Sequence, residues 1–223
     1  MYYQYESYIN HCQFMRRHPF RFGNKIEAAV IQDDVSLALP FPAQAMKQVH
    51  GDKIMIFENY HEDQIGHDAI ICDKPGVTVI VKTADCIPLV IAEGKGGLRP
   101  LVAAVHAGWR SLTKDIIPKT IKKMVEMGAA PEDMNVGIGP SLGLECSEFS
   151  DPYNELPEKF HWAILDGNKV DLKAIALKQL EYAGVQRENI SHMDICTKCD
   201  EGWFSFRRNG CKERFGTIIS IKT

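Results

Sequence analysis

The sequence predicts a fold of the α+β or α/β class, in which a buried sheet is flanked by a few helices. The middle of the 223-residue chain contains short apolar, β-branched runs at residues 53–57, 69–72, 77–81, 89–92 and 101–105. Turn-forming segments such as 74–76 and 94–97 separate these runs, as is usual for consecutive strands. Residues 112–125 then repeat apolar side chains at helical spacing. Both fold classes fit this pattern, because periodicity does not determine strand order.

The later elements have recognisable ends. Gly128 follows the first helical segment, where a C-terminal stop is expected, and Pro118 lies inside that segment. Because proline has no backbone donor, Pro118 either kinks the helix or marks the first turn of its main part. A second helix is predicted over residues 171–183 with Gly184 at its end, and residues 215–221 predict a closing strand.

The composition is ordinary for a globular protein. Apolar residues make up 45% of the chain, and the formal net charge is −3. A nucleic-acid partner is not expected, since it would require a basic face. We expect no membrane span, because no run approaches the roughly 18–20 apolar residues required. A cytoplasmic location is expected because residues 1–10 lack the apolar core of a signal peptide. The seven cysteines should then be reduced thiols, free to act as core residues, nucleophiles or metal ligands.

Three short motifs bring metal-ligating residue types to the edges of the predicted strands. They are Gln-Val-His-Gly at 48–51, Thr-Ala-Asp-Cys at 83–86 and His-Ala-Gly-Trp-Arg at 106–110. The imidazoles of His50 and His106 with the thiolate of Cys86 are a suitable ligand set for zinc or copper. Three protein ligands leave one coordination position for water or substrate, as in catalytic zinc sites. Spacing alone leaves a buried structural thiol and strand-end histidines as alternatives.

These motifs resemble those of the YfiH/laccase-domain family, whose members were first called multicopper polyphenol oxidases and are now regarded mainly as purine nucleoside phosphorylases. Further matches are Gly-Ile-Gly-Pro-Ser-Leu-Gly at 137–143, Cys-Thr at 196–197 and Phe-Ser-Phe-Arg-Arg-Asn-Gly at 204–210. The resemblance covers residues 44–223. It implies an α+β fold of layered mixed β-sheets flanked by helices, as a single domain over residues 1–223 in which residues 1–40 are divergent.

The resemblance implies a metal centre and a catalytic carboxylate. His50, Cys86 and His106 match the family's metal ligands, with zinc as the expected ion and copper as the alternative. Asp85 matches an active-site carboxylate, which would orient His50 or His106 or move a proton. An aspartate that merely caps a turn is the alternative interpretation of Asp85.

Substrate-binding residues are implied in the same way. Arg207 and Arg208 match paired arginines near the family's pocket, and a guanidinium fork suits phosphate oxygens. Two surface arginines on an edge strand are the alternative. Gln48 and Arg110 are expected to support the pocket.

The function implied by the resemblance is that of a zinc-dependent purine nucleoside phosphorylase. Phosphate and adenosine, inosine, guanosine or methylthioadenosine would give the free base and ribose 1-phosphate, and adenosine deamination is a further implied activity. Two alternatives remain open. One is a copper-dependent polyphenol oxidase, although such chemistry requires a histidine-rich cluster of several coppers. The other is a non-enzymatic metal-binding protein that has lost its phosphate site.

The first 40 residues depart from the family pattern. A family arginine near the N-terminus corresponds here to Asp33, and the helix that usually follows is missing between Ser36 and Gln48. An aspartate would repel phosphate, so this departure bears on phosphorolysis more than on metal binding. Phosphate binding would be retained if Arg16, Arg17 or Arg21 took the place of the family arginine.

The remaining cysteines leave a second metal site open. Cys196 and Cys199 form a Cys-x-x-Cys pair, to which His192 and Cys211 would be the nearest additional ligands. Cys146 has no identifiable base beside it and is interpreted as a packed or idle thiol.

Overall fold

Two β-sheets and a layer of helices make up the described part of the structure. The computed structural model describes residues 17–22, 25–34, 43–60, 65–93 and 99–223. Among these residues, none of the helices has the length and apolar character required to cross a membrane.

The first sheet has five strands, and its centre is formed by the closing strand of the chain. In spatial order it contains β1 (Arg17–Phe20), β2 (Ile26–Asp34), β13 (Phe215–Ile221), β6 (Thr78–Thr83) and β3 (Ala43–Gln44). Neighbouring strands are antiparallel except for the parallel pair β3 and β6. Ile218 of β13 is paired with Ala29 on one side and with Ile80 on the other, so the predicted strand at 215–221 is an interior strand.

The second sheet has six strands and is also mixed. In spatial order it contains β12 (Ile190–His192), β9 (Met134–Ile138), β7 (Ile87–Glu93), β8 (Leu101–Ala107), β5 (Ala69–Cys72) and β4 (Ile54–Ile56). The edge pairs β12–β9 and β4–β5 are parallel, and the inner pairs are antiparallel. A separate two-stranded ribbon joins β10 (Ile164–Leu165) to β11 (Lys169–Val170).

Helices cover the outer face of the second sheet. The α-helices are α1 (Trp109–Thr113), α2 (Ile116–Glu126), α3 (Pro152–Glu155), α4 (Leu172–Tyr182) and α5 (Phe206–Asn209). Short 3-10 helices lie at Pro131–Asp133, Leu144–Cys146, Glu158–Ala163 and Arg187–Asn189. The Asp171 side chain accepts a hydrogen bond from the backbone N–H of Ala174, which caps the N-terminus of α4.

The second sheet is buried on both faces, which explains the unbroken apolar runs in the sequence. In β7, Leu89 and Ile91 belong to the core beneath α2 and α4, whereas Val90 and Ala92 belong to the core between the two sheets. A strand that buries both faces has no solvent side on which polar residues would alternate. The predicted α+β class of layered mixed sheets with flanking helices is confirmed.

The helix predicted over residues 112–125 is divided in two. Asp115 has a left-handed backbone conformation with φ of 60°, which separates α1 from α2. Pro118 therefore lies in the first turn of α2, where its missing N–H costs no intrahelical hydrogen bond.

Candidate metal centre

The three predicted metal ligands meet at one edge of the second sheet. His50 precedes β4, Cys86 lies in the connection from β6 to β7, and His106 is the penultimate residue of β8. Because β7 and β8 are antiparallel neighbours, the start of one strand lies beside the end of the other. One ligand atom from each residue lies within 4.8 Å of the other two, and His50 Nε2 is 3.5 Å from Cys86 Sγ.

Asp68 holds both histidines in place. This carboxylate is fully buried and accepts hydrogen bonds from the backbone N–H groups of His50 at 2.9 Å and Gly51 at 2.7 Å. Asp68 Oδ1 also accepts from His106 Nδ1 at 2.7 Å. Since a carboxylate only accepts, the proton of the His106 ring lies on Nδ1 and leaves Nε2 as the coordinating atom. His106 itself is 3% exposed, so its ring is held by packing as well as by this bond.

Gly108 makes room for the cluster. A Cβ atom at this position would lie 2.6 Å from His50 Cδ2 and 3.1 Å from Cys86 Sγ, too close for any side chain without displacement of the ligands. The two imidazole rings are arranged edge to face, with centroids 4.7 Å apart. The glycine of the His-Ala-Gly-Trp-Arg motif is thus explained by the close approach of two ligands.

Without an ion, the charges in the cluster favour a thiolate beside an imidazolium, and an ion would take the place of the proton on His106 Nε2. Burial by itself would raise the pKa of the Cys86 thiol, but hydrogen bonds with His106 and His50 outweigh it and lower this pKa to about 6. Burial would lower the pKa of His106, but Asp68 and Cys86 raise it to about 9. For Asp68, burial opposes ionisation, and the hydrogen bonds from His106 and Gly51 outweigh it, so its pKa is lowered.

This donor set fits a transition metal ion. A thiolate and two imidazoles, one of them oriented by a buried carboxylate, are the ligands and the supporting contact typical of zinc and copper sites. His50, Cys86 and His106 are therefore a candidate metal centre with three protein ligands.

The cluster opens into a cavity of about 580 Å³. Its lining combines cations, aromatic rings and hydroxyl groups: Lys82, Arg110, Arg207, Arg214, Trp109, Phe149, Phe206, Thr83 and Ser147. The Arg110 guanidinium stacks on the Trp109 ring at 4.2 Å, and Trp109 contacts the edge of Phe149. A cavity of this size and chemistry suits a small anionic or aromatic ligand.

Asp85 also lines the cavity, but it does not orient a histidine. Its Oδ1 accepts from the hydroxyls of Thr197 and Ser205, each at 2.7 Å, and its Oδ2 accepts from the Arg207 backbone N–H at 2.6 Å. The expectation that Asp85 orients His106 is corrected, because Asp68 makes that hydrogen bond. Asp85 instead joins the connection from β6 to β7 with the start of α5, and its catalytic role stays a prediction.

The two neighbouring arginines have different environments. Arg207 lines the cavity, and its Nη1 donates to the carbonyl of Glu148 at 2.9 Å. Arg208 points into the backbone, where Nη1 donates to the carbonyls of Thr197 at 2.8 Å and Asp200 at 3.1 Å, and Nη2 donates to that of Trp203 at 2.6 Å. The predicted substrate contact of Arg208 is corrected, because its guanidinium is engaged with main-chain carbonyls.

Gln48 lines the cavity as expected, and its amide pairs with the backbone of β6. Gln48 Nε2 donates to the Lys82 carbonyl at 2.8 Å, and Gln48 Oε1 accepts from the Lys82 N–H at 2.9 Å. Its predicted role in substrate binding stays a prediction. The side chains of Arg17 and Asp33, and residues 1–16 and 35–42 with Arg16, lie outside the described part of the molecule, and Arg21 is exposed.

Sequence reasoning missed two contributors to the site, Asp68 and Arg214. Asp68 directly precedes a buried strand, and an acidic residue at such a position is a signal of a structural or catalytic role. Arg214 lies beyond the matched motifs, and its contribution depends on how the chain returns to β13. The predicted packed thiol, Cys146, lies with Cys196 and Cys199, whereas His192 and Cys211 do not belong to that cluster among the described residues.

The fold and the site define a layered α+β protein with a candidate His–Cys metal centre at a sheet edge. A model of the multi-copper polyphenol oxidoreductase laccase family matches residues 27–222, and the chain belongs to that family. The resemblance inferred from the motifs is thereby confirmed.

Relatives of similar sequence are named as enzymes that act on purine nucleosides. The chain is 34% identical over 177 residues to a purine nucleoside phosphorylase of Clostridium acetobutylicum, across 74% of this chain and 70% of the relative. It is 32% identical over 155 residues to an adenosine deaminase of an unknown prokaryotic organism, across 65% of this chain and 58% of the relative, so it matches less than two thirds of that protein.

Solved structures support the fold. The YfiH protein of Bacillus licheniformis aligns with a TM-score of 0.76 at 21% identity, over 88% of this chain and 93% of that one. The protein NMB0706 of Neisseria meningitidis aligns with a TM-score of 0.76 at 20% identity, over 94% and 99% of the two chains.

Proposed function

We propose that this chain is a metal-dependent enzyme that cleaves purine nucleosides with phosphate, giving the free base and ribose 1-phosphate. The observation that carries the proposal is one cavity lined both by the His50, Cys86 and His106 cluster and by several cations. The relatives named as purine nucleoside phosphorylases support it. Adenosine, inosine, guanosine and methylthioadenosine are the proposed nucleosides.

The aromatic residues suit a purine base. Trp109 is half-buried, Phe149 is buried and Phe206 is 59% exposed, so their rings offer apolar surface at the cavity wall. Stacking on such rings contributes about 1–3 kcal/mol per base in other proteins. The hydroxyls of Thr83 and Ser147 are buried and have no hydrogen-bond partner within the described part of the chain, which suits donation to a polar substrate group.

The cations suit phosphate. Arg207 uses Nη1 for main-chain carbonyls, and Lys82 and Arg214 lie on the same cavity. In the proposed reaction a phosphate oxygen forms a bond to the ribose C1′ while the C1′–N bond of the base breaks. The electron pair goes to the purine nitrogen, which gains the proton that the attacking phosphate gives up, and we propose Asp85 as the carboxylate that moves this proton.

Zinc is the proposed ion, with copper as the alternative. When bound, the ion supplies a Lewis acid that polarises an oxygen of water or substrate near neutral pH. Asp68 keeps His106 in the coordinating tautomer, and Gly108 leaves the ligands room to converge.

A second candidate activity is adenosine deamination, in which water adds at C6 of the purine and ammonia leaves. The relative named as an adenosine deaminase favours it, and the same aromatic wall would hold the base. Copper-dependent polyphenol oxidation is less well supported. Within the described residues, the His-containing cluster has two histidines and one cysteine, whereas multicopper chemistry needs a histidine-rich cluster that holds several coppers.

One experiment separates these activities. Metal in the purified protein is measured by mass spectrometry, and the protein is then incubated with adenosine, and in parallel with inosine, guanosine and methylthioadenosine, each with and without phosphate. Adenine with ribose 1-phosphate, formed only when phosphate is present, is the expected result. Inosine in both conditions would indicate deamination. Bound metal without turnover of any nucleoside would contradict the proposal and favour a non-enzymatic metal-binding protein.

A further inference from the structure

A second group of sulfur atoms lies outside the candidate metal centre. Cys146 ends a 3-10 helix, and Cys196 and Cys199 lie on the turn that follows β12. The sulfur atoms of these three residues, the cysteine cluster, all lie within 4.8 Å of one another, and Cys146 Sγ is 3.4 Å from Cys199 Sγ. Residues 50 positions apart in the sequence are thus brought to one point by the fold.

The backbone holds the cysteine cluster in this arrangement. Thr197 N–H donates to the carbonyl of Ser141 at 3.0 Å, which pairs the two segments that carry the cysteines. Gly143 N–H donates to Cys196 Sγ at 3.2 Å. A Cβ atom at Gly143 would lie 3.3 Å from the same sulfur, so a glycine at this position permits the close approach.

The distances suit a metal ion better than a disulfide. A disulfide needs sulfur atoms about 2.05 Å apart, and all three thiols are free. Sulfur ligands about 2.3 Å from a tetrahedral zinc ion lie about 3.8 Å from one another. Cys146 Sγ and Cys199 Sγ, 3.4 Å apart, are slightly closer than this, and all three sulfur atoms lie within 4.8 Å of one another, so small side-chain rotations would bring them to an ion.

The exposure of the three residues is graded. Cys146 is 8% exposed, Cys196 is half-buried and Cys199 is exposed. An ion held here would have a dry side formed by protein and an open side at Cys199, from which it can enter and bind a water molecule. Soft thiolate ligands select Zn²⁺ and Cu⁺ among the common biological ions.

We propose that Cys146, Cys196 and Cys199 form a second metal site, for a thiophilic ion such as Zn²⁺ or Cu⁺. The site has no residue in common with His50, Cys86 and His106, and it joins the 3-10 helix at Leu144–Cys146 to the turn after β12. These two segments also contact the arginine pair, since Arg207 donates to the Cys146 carbonyl at 3.5 Å and Arg208 to the Thr197 carbonyl at 2.8 Å. The ion would therefore link the two segments whose carbonyls hold Arg207 and Arg208 at one wall of the cavity.

The test counts ions in variants that remove one site at a time. The full chain is stripped with a chelator under reducing conditions, loaded separately with Zn²⁺ and with Cu⁺, and weighed by native mass spectrometry. We expect two ions in the unmodified chain and one each in Cys199→Ser and His50→Ala. Cys211→Ser is the matched control, because its thiol lies outside the cysteine cluster, and it should retain two. The two loading arms show which ion the second site prefers.

Cobalt substitution gives an independent measurement. Three thiolates produce a stronger sulfur-to-metal absorption in the near ultraviolet than one thiolate does, so His50→Ala should keep most of this band and Cys199→Ser should lose most of it. Retained circular dichroism and a retained ion at the His50 site show that Cys199→Ser is folded. A single ion in the unmodified chain that disappears with His50→Ala would overturn the proposal, as would a Cys146–Cys199 disulfide in place of bound metal. Neither measurement depends on nucleoside turnover.

Discussion

The two walls of the cavity are built in different ways. On the ligand wall, His50, Cys86 and His106 lie beside buried strand ends, and a fully buried carboxylate, Asp68, fixes both histidines. On the cation wall, Arg110 and Arg207 are exposed and belong to helices of five and four residues. The ligand wall is thus organised before any ion binds, whereas the cation wall depends on a few hydrogen bonds to main-chain carbonyls.

The largest effect is expected from Asp68→Ala, which removes the organiser of the ligand wall. The substitution leaves the N–H groups at His50 and Gly51 and the His106 ring without their acceptor. Breaking a buried, hydrogen-bonded charge pair costs about 3–5 kcal/mol, and losing the group that orients a ligand lowers metal affinity about 10–100-fold. Urea unfolding and competition with a metal chelator measure the two quantities.

Asp52→Ala is the control for this prediction. Asp52 pairs with Lys119 near the surface, with its Oδ2 2.5 Å from Lys119 Nζ, and is not one of the clustered ligands. Its loss should change the free energy of unfolding by less than about 1 kcal/mol. Equal effects of the two substitutions would show that the ligand wall is not pre-organised by Asp68.

The next largest effect is expected from Asp85→Asn, because Asp85 lies between the two walls. If Asp85 moves a proton, its loss lowers kcat by about 100-fold or more, while the altered hydrogen bonds to Thr197 and Ser205 cost about 1–2 kcal/mol of stability. Steady-state kinetics with inosine and phosphate measure kcat and KM separately. A raised KM for phosphate with an unchanged kcat would make Asp85 a positioning residue for Arg207 and contradict its catalytic role.

The arginine pair gives the sharpest contrast within the cation wall. Arg207→Ala should lower kcat/KM for phosphate about 10–100-fold, the loss expected for a charged hydrogen bond of about 1.5–3 kcal/mol, and leave stability within about 1 kcal/mol. Arg208→Ala should instead lower the free energy of unfolding by about 1–3 kcal/mol, because the carbonyls of Thr197, Asp200 and Trp203 lose their donor.

Phosphate kinetics and urea unfolding of both arginine variants test this contrast. Arg187→Ala is a suitable control, since Arg187 pairs with Glu181 at the surface and lies outside the cavity lining. The same loss of phosphate affinity in both arginine variants, at unchanged stability, would restore Arg208 as a substrate contact.

The contrast between the walls also explains what the sequence could predict. His50, Cys86 and His106 were implied by the family resemblance of their motifs, and each motif lies next to a buried run, which fixes where a strand begins or ends. Arg207 and Arg208 were not separable, because adjacent residues of a short helix point in different directions that depend on the tertiary neighbours of α5.

Contacts between segments that are distant in the sequence could not be predicted from it. Asp68 is close to His106 in space although the two residues are far apart in the sequence. The cysteine cluster likewise joins Cys146 to a turn that begins at Cys196. The Cys-x-x-Cys spacing identified two of these thiols, but the third comes from a 3-10 helix whose position is set by the pairing of Ser141 with Cys196. The sheet layers were predictable because they depend on local sequence. An unbroken apolar run such as β7 directly indicates a strand that is buried on both faces.

The smallest effect is expected from Arg110→Ala, at the exposed edge of the cation wall. Arg110 stacks on Trp109, a contact of about 0.5–1 kcal/mol at exposed sites, so the free energy of unfolding should change by no more than that. The guanidinium on one face of the Trp109 ring also keeps that ring in place at the cavity wall. Its removal should therefore raise KM for the nucleoside a few-fold and leave metal content unchanged. Arg110→Lys keeps the charge but not the planar stack, and it should resemble Arg110→Ala in KM for nucleoside. A loss of phosphate affinity that Arg110→Lys restores would show that charge, not stacking, is the contribution of this residue, and would place Arg110 with Arg207 on the phosphate side of the cavity.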